Sequence, residues 1–290
     1  MNVRIAKALL STVQTVFLWS LLFCLPGVSS AQIPATGAAT IQDMLFAPFD
    51  ALYAASVLDA QANLAHLKQP PSAPAIQDIT PENKALIWKG EPGASQVLVT
   101  TFTKSAYYSN LQSGQTIPAA VDLWVVPAPQ MYTEVRAEDP QGAALAPKLA
   151  ASQYLGLPPR NTNDSVVSVW VDPAMLLRPA IDPRTDTHEL ETSFPLTLQN
   201  VPLTQAPVLP KDPPAPGFSS VPDYAAWFLD RQSVIYNFTV SGGPYPWTGL
   251  GYTYDWNPAA PDVVGASEFI IPRGSPVTFR DATPVGEYFK

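Results

Sequence analysis

Hydrophobic and polar residues recur with two different periods along this chain, and the change of period separates helices from strands. A helical pattern extends over residues 40–67, where Thr40 can cap the first turn and Pro48 should kink or divide the helix. A second helical pattern covers residues 223–235. Apolar runs rich in β-branched and aromatic residues predict strands at residues 96–103, 120–126, 165–171, 268–271 and 277–279. The chain is therefore predicted to be α+β, with short, mostly antiparallel strands and packed helices.

Proline divides the chain into its predicted parts. The sequence has 33 prolines in 290 residues, about twice the ordinary usage, and they fall between the apolar runs. Residues 69–76 are proline-rich and indicate a stiff linker. Two further helices are expected, a short one over residues 82–88 and one over residues 143–154. The predicted organisation is a signal peptide (1–31), an N-terminal helical segment (32–68), the linker (69–76) and an α+β main domain (77–290).

The first residues have the three parts of a secretory signal peptide. Arg4 and Lys7 precede an apolar run over residues 8–25, and small residues lead to a cleavage point after Ala31. About twenty apolar residues can also span a membrane, so an uncleaved anchor is the alternative interpretation. Gln14 within the run and the helix-breaking Pro-Gly pair after it favour cleavage. We therefore expect a secreted or periplasmic protein with no membrane attachment after cleavage.

Removal of this segment changes the composition of the working protein. Cys24 is the only cysteine, so the mature chain has no thiol for a disulfide, a zinc-thiolate site or a nucleophile. Without Arg4 and Lys7, 14 basic residues remain against 24 acidic ones, which gives a net charge of −10. Nucleic-acid binding relies on lysine and arginine contacts to phosphates, so this acidic protein is not expected to bind nucleic acid.

A charged segment over residues 178–191 is the first candidate site. It contains Arg178, Asp182, Asp186, His188 and Glu189. Closely spaced carboxylates can hold Ca²⁺ or perform acid–base chemistry, although the spacing is not that of an EF-hand. The alternative is a solvated loop whose arginines pair with its acids. No cofactor is expected, and Ca²⁺ is the one ion such a loop could hold.

An aromatic segment over residues 245–256 is the second candidate site, with the rings of Tyr245, Trp247, Tyr252, Tyr254 and Trp256. Aromatic rings can stack on sugars, and Asp255 could orient a ligand hydroxyl. The alternative is that these rings are core, packed against the helix at residues 223–235. The predicted ligand-binding residues are Arg178, His188, Trp247, Tyr252, Tyr254 and Trp256. The predicted catalytic candidates, if the protein is an enzyme, are Asp182, Asp186, Glu189, Asp255 and Glu268.

Two common catalytic arrangements are disfavoured by the residues present. His66 and His188 are the only histidines, which excludes a zinc site built from several histidines. Ser267 lacks the glycine two positions later that a nucleophile elbow requires. The sequence thus contains no complete catalytic set of a serine hydrolase.

Several segments resemble an uncharacterised family of exported bacterial proteins. They are the YLGLPP run at residues 154–159, the RPxxDP run at 178–183 and the YPWTxLGYTYDW run at 245–256, followed by SEF at 267–269. The resemblance implies export and a single shared domain, and it implies no particular activity. Arg184 stands where an acidic residue is expected.

These observations favour an exported protein that acts by binding a ligand, such as a glycan or a cell-envelope component. The first alternative is a secreted, glycosidase-like hydrolase that uses two of the candidate carboxylates. The second alternative is a structural or assembly protein whose loosely packed N-terminal helix docks on a partner. The sequence does not decide whether the protein is an enzyme.

Overall fold

The fold is α+β, as predicted. The computed structural model describes residues 40–66, 76–188, 221–239 and 243–290. The predicted signal peptide, nearly all of the predicted linker and the candidate Glu189 lie outside the described residues.

One antiparallel sheet of six strands organises the main domain. The strand order is β2-β8-β4-β1-β3-β7, and each pairing is antiparallel. A separate ribbon pairs β5 with β6. The strands are β1 (Val97–Thr103), β2 (Thr116–Pro118), β3 (Leu123–Pro127), β4 (Ser165–Val171), β5 (Tyr252–Tyr254), β6 (Val264–Ser267), β7 (Phe269–Ile271) and β8 (Pro276–Pro284).

Strands β1 and β4 form the middle of the sheet because both of their faces are apolar. Their register runs from Val97 opposite Val171 to Thr103 opposite Ser165. Since side chains alternate between faces, Val167 packs into one core beneath the sheet while Val166 packs into another above it. The predictions for both strands are confirmed.

Short helices cover one face of the sheet and replace the single helix predicted at residues 143–154. The prediction of one continuous helix was wrong. Pro147 has no amide hydrogen to donate, so the chain breaks there and a new helix begins at this residue. Asp139 caps the preceding helix by accepting from the Gly142 amide at 2.8 Å. The helix predicted at 82–88 was also wrong, since this stretch forms turns. The helices are α2 (Gln130–Glu138), α3 (Pro140–Leu145), α4 (Pro147–Tyr154) and, near the C-terminus, α6 (Val285–Tyr288).

The N-terminal helix α1 (Ile41–His66) is a single helix through Pro48. Its start is a reciprocal cap: the Asp43 amide donates to Thr40 Oγ1 at 3.1 Å, and the Thr40 amide donates to the Asp43 carboxylate at 3.0 Å. The cap at Thr40 is thus confirmed, whereas the division at Pro48 is not observed. One face of α1 is buried in the core through Leu52, Tyr53, Val57 and Ala60.

Helix α5 (Val221–Val234) packs with α1 around the aromatic segment. Tyr224 and Phe228 are one turn apart and both are buried, as the helical spacing predicted. The Phe228 and Trp247 ring centroids are 5.0 Å apart. Within the described part of the chain, no helix combines the length and apolar character needed to cross a membrane.

A buried arginine joins three parts of the chain beside the aromatic segment. Arg178 donates to the carbonyl oxygens of Gln77 at 2.8 Å and Thr187 at 2.7 Å, and its guanidinium lies 4.7 Å from the Phe269 ring centroid. Its aliphatic stem packs against Gly251, which has a φ of +83°. A Cβ at this glycine would lie 2.6 Å from Arg178 Cδ, so both the backbone and the space require glycine.

Replacement of Gly251 by alanine should destabilise the fold by at least about 2 kcal/mol, because the left-handed conformation and the contact with Arg178 both oppose a side chain. Urea unfolding of Gly251→Ala measures this change. Gly286→Ala is the matched control, since nothing lies within 4 Å of the Cβ it adds. Equal stability of the two variants would contradict the role given to Gly251.

Candidate functional site

A cavity of about 250 Å³ lies between the aromatic segment, helix α5 and strands β1 and β3. Its walls are mainly aromatic and aliphatic, with a few polar groups among them. Such a composition is typical of small-molecule sites, and the volume is somewhat below their usual range of about 300–1,000 Å³, so the ligand must be small. The side chains used below are those of Trp124, Arg231, Trp247, Tyr252, Tyr254 and Glu268.

Hydrogen bonds to neighbouring elements fix the aromatic segment in place. The Thr248 hydroxyl donates to the Tyr252 carbonyl at 2.6 Å, and the Tyr254 hydroxyl donates to an Asp59 carboxylate oxygen at 2.8 Å. The Trp256 indole donates to the Leu157 carbonyl at 3.0 Å. Within this segment the chain forms the short strand β5 at Tyr252–Tyr254. The rings pack into the core as the alternative interpretation expected, and four of them, those of Tyr245, Trp247, Tyr252 and Tyr254, also line the cavity.

Glu268 reaches the cavity because of its place between β6 and β7. Its amide donates to the Gly251 carbonyl at 2.9 Å, which ties it to the aromatic segment. The preceding Ser267 lies outside the lining, and its hydroxyl accepts from the Gln77 amide at 2.6 Å. Neighbouring residues in extended chain point to opposite sides, so Ser267 is directed away and Glu268 inward.

Arg231 faces the same cavity from the last turn of α5. Its guanidinium lies 5.2 Å from the Trp124 ring centroid, a cation–π contact that holds the side chain against the wall. Burial lowers the pKa of Arg231, while Glu268 is the first of the nearby charges that oppose this shift. The arginine nevertheless stays charged, because guanidinium is not deprotonated in proteins.

Several buried polar atoms on residues of this lining lack a hydrogen-bond partner among the described residues. Arg231 Nε, Trp247 Nε1 and Glu268 Oε2 are among them, and each is closed off from bulk solvent. Arg231 and Glu268 attract each other but do not form a direct ion pair. An unmade hydrogen bond on a buried group costs about 1–3 kcal/mol, so a ligand that supplies the partners would recover this free energy.

The environment of Glu268 favours its neutral form. Burial raises the pKa of its carboxyl group to about 8, and the attraction of Arg231 offsets only part of this shift. Near neutral pH the side chain is therefore mainly a carboxylic acid, which can donate as well as accept a hydrogen bond.

In the described part of the charged segment, the buried charged side chains bond to other groups of the protein and do not line the cavity. Arg178 and Asp182 are buried, whereas Asp186 and His188 are exposed. Asp182 accepts from the Arg184 side chain at 2.6 Å, which confirms one expected ion pair. Among the described residues, no group of three or more His, Cys, Asp or Glu side chains is placed to hold a metal ion.

The two candidate segments touch, but only the aromatic one lines the cavity. Ala180 and Leu250 form an antiparallel bridge, and Arg178 packs against Gly251. Of the described candidate carboxylates, Glu268 is the one in the lining. Asp255 is buried and accepts from the Asn257 amide at 2.7 Å, and Asp182 is engaged by Arg184. The structure thus does not gather the predicted carboxylates at one cleft.

Sequence reasoning did not select Arg231 and Trp124 as site residues. Arg231 falls in the helical pattern over residues 223–235, at a position where its aliphatic stem follows the apolar face. An arginine at a core-facing position was the available signal, because a buried charge needs a partner or a function. Trp124 carried no such signal, since an aromatic residue in a buried strand is ordinary.

No protein-family model, no curated protein and no solved structure matches this chain.

The raised pKa of Glu268 predicts a pH-dependent stability that Glu268→Gln removes. Because the folded-state pKa is about 8 against an ordinary 4.5, the stabilisation is complete below about pH 4.5 and is lost as pH rises towards 8. The variant should match the wild type at pH 5 and exceed it by about 4 kcal/mol at pH 9, because each pH unit between the two pKa values changes the free energy of unfolding by about 1.4 kcal/mol. Urea unfolding at pH 5, 7 and 9 measures the difference.

The control for this series is Glu287→Gln, since Glu287 is exposed and pairs with Lys290 at the surface. Its pH profile should parallel that of the wild type. A parallel profile for Glu268→Gln as well would show that Glu268 is not desolvated as described.

Proposed function

We propose that this chain is a binding protein whose small ligand occupies the cavity lined by Arg231, Trp247 and Glu268. A glycan fragment or another envelope component is the ligand class that we favour. The observation that carries the proposal is that Arg231 Nε, Trp247 Nε1 and Glu268 Oε2, all without a partner among the described residues, belong to the lining of one aromatic cavity. Such atoms also occur on Trp88 and Arg178 outside the lining, so their grouping at one cavity is what favours a ligand site.

The walls suit a ligand with both apolar and polar faces. Trp247, Tyr252 and Tyr254 offer aromatic surface, and Arg231 and Glu268 offer polar groups beside it. Burial raises the pKa of Tyr254, so its hydroxyl stays neutral and keeps its bond to Asp59. The site is therefore rigid on its aromatic side before any ligand enters.

Export is part of the proposal. Its support is the composition of residues 1–31 and the resemblance to exported bacterial proteins. In this proposal the protein works in the periplasm or outside the cell, where glycans and envelope fragments are present. The acidic composition, with a net charge of −10 after cleavage, is consistent with a partner other than nucleic acid.

A hydrolase is the alternative that one observation favours. Glu268 has a pKa of about 8 and could donate a proton to a leaving group near neutral pH. Paired-carboxylate glycosidases need a second carboxyl group about 5–10 Å away. Among the described lining residues, Glu268 is the only carboxylate, so the cavity supports binding better than hydrolysis.

The assembly alternative rests on the outer face of α1. Met44, Leu45 and Leu58 are exposed there, while the inner face is buried in the core. The loosely packed helix that this alternative requires is therefore not what the structure has. Scattered exposed apolar side chains are also ordinary on protein surfaces.

Isothermal titration with cell-wall and polysaccharide fragments tests the binding function. The wild type should release or absorb heat with at least one fragment, and Trp247→Phe should bind it about tenfold more weakly. The variant keeps a ring but loses the indole N–H and part of the stacking surface, a loss of about 1.4 kcal/mol.

Trp170→Phe is the matched control, since Trp170 lies in β4 outside the cavity lining. Its affinity should equal that of the wild type. If the Trp247 variant binds with the affinity of the wild type, the ligand does not bind in this cavity. If no fragment produces heat, the ligand is not a glycan of the kind tested. Release of cleaved products during the titration would instead support the hydrolase.

A further inference from the structure

Two of the unpartnered atoms at the cavity can only donate a hydrogen bond. Arg231 Nε and the indole nitrogen of Trp247 each carry one hydrogen and accept none. Glu268 Oε2 also lacks a partner among the described residues, and the neutral carboxyl group that burial favours has a hydrogen to donate. A ligand that completes these groups needs acceptor atoms. An ionised carboxylate is the common organic group that only accepts.

The charge of the lining has the sign that attracts an anion. Arg231 is positive, and in the described part of the chain it forms no ion pair with a carboxylate. Glu268 is the one carboxyl group of the described lining, and it is mainly neutral near pH 7. A poorly solvated charge without a partner destabilises the protein, so one negative charge on the ligand would neutralise Arg231 and relieve this penalty.

The neighbouring charges do not replace this anion. Asp122 and Asp230 attract Arg231, but both lie outside the lining and neither forms a direct ion pair with it. Burial raises the pKa of Tyr252 and of Tyr254, so these phenols add no negative charge near pH 7. The negative charge of the whole chain acts over long distances and is screened by salt, whereas Arg231 acts on a bound ligand at close range.

The aromatic walls restrict what surrounds the anionic group. Trp247 packs on the core, with the Phe228 ring centroid at 5.0 Å, and also lines the cavity beside Tyr252 and Tyr254. Such ring faces pack against apolar or C–H groups. A hydrated inorganic anion would leave them uncovered. The volume of about 250 Å³ therefore suits a small organic body that carries the anionic group.

We propose that the ligand of this cavity is a small organic acid, such as an acidic sugar unit, whose carboxylate accepts hydrogen bonds from Arg231, Trp247 and Glu268. The inference rests on the proposed binding function and specifies the chemistry of its ligand. Arg231 supplies the attracting charge. Glu268 contributes while it is protonated, because an ionised carboxyl group would repel the ligand. Uronic acids and muramic acids should therefore bind more tightly than neutral or amino sugars.

Titration calorimetry at pH 7 with matched sugars tests this inference. The acidic probes are glucuronic acid, galacturonic acid and N-acetylmuramic acid, and their neutral counterparts are glucuronamide, galacturonamide and N-acetylglucosamine. Glucosamine and glucose 6-phosphate complete the panel. At least one acid should bind at least tenfold more tightly than its neutral counterpart, than glucosamine and than the phosphate. A neutral sugar, an amino sugar or a phosphate that binds as tightly as the acids would overturn the carboxylate class.

Arg231→Met tests the source of the charge. The variant keeps an apolar stem but loses the guanidinium, so it should bind the acid at least thirtyfold more weakly and no longer prefer it to the neutral counterpart. Arg280→Met is the matched control, because Arg280 also lies over a tryptophan ring, that of Trp170, but outside the lining. Its affinity should stay within twofold of the wild type. A folded Arg231→Met variant that still prefers the acid, with folding checked by circular dichroism, would overturn the inference.

The pH profile of binding tests the part of Glu268. The wild type should bind the acid about tenfold more weakly at pH 9 than at pH 7, because each pH unit above the pKa of about 8 lowers the protonated fraction tenfold. The other titratable groups of the described lining are Arg231 and the phenols of Tyr245, Tyr252 and Tyr254. Glu268→Gln cannot ionise, so the ratio of its affinities at the two pH values should be near one. An equally steep profile in this variant would overturn the role of Glu268.

Failure of this inference is distinguishable from failure of the binding function. If no acid binds while an envelope fragment binds and depends on Trp247, the cavity is a site for another ligand and the inference is wrong. If no fragment binds in the earlier titration and no acid binds here, both are wrong.

Discussion

The close packing of Arg178 against Gly251 is the contact on which the site depends. The guanidinium binds backbone carbonyls from two separate stretches of chain and lies on the Phe269 ring, so its position is fixed from several directions. Gly251 in turn accepts the amide hydrogen of Glu268 through its carbonyl oxygen. The charged segment and the aromatic segment are therefore joined by packing and backbone contacts, and they do not line one common cavity. Arg178, a predicted ligand-binding residue, instead packs against the glycine whose carbonyl oxygen holds the backbone amide of Glu268.

The aromatic segment has two roles because its rings have two sides. Trp247 and Tyr254 belong to the core formed with α1 and α5, and they also line the cavity. Packing on one side fixes the rings, so that their other side can bind a ligand with little loss of conformational freedom. The packed rings stabilise the fold, whereas the buried polar atoms of Arg231, Trp247 and Glu268 destabilise it because they lack hydrogen-bond partners among the described residues. Proteins accept such local costs mainly at functional sites, which is why this cavity carries the functional argument.

The sequence allowed the strongest elements of the fold to be predicted, because their signals are local. Strand β4 is a run of β-branched residues, and the cap of α1 needs only Thr40 and Asp43. The break before Pro147 is also local, but the helical composition on both sides concealed it. The site could be predicted only in part, because it depends on contacts between distant residues. Glu268 and Trp247 were both among the candidates, yet nothing local indicated that Arg231 would lie near them. The burial that raises the pKa of Glu268 likewise exists only in the folded chain.

A crystal structure of the chain with the glycan or envelope fragment that binds most tightly tests the central claim most directly. The account predicts that the ligand lies against the Trp247 indole, with a polar group within hydrogen-bonding distance of Arg231 or Glu268. The aromatic residues should keep the positions that the core already gives them. A ligand bound on another surface, or in the cavity without contact to either of these two side chains, would contradict the account.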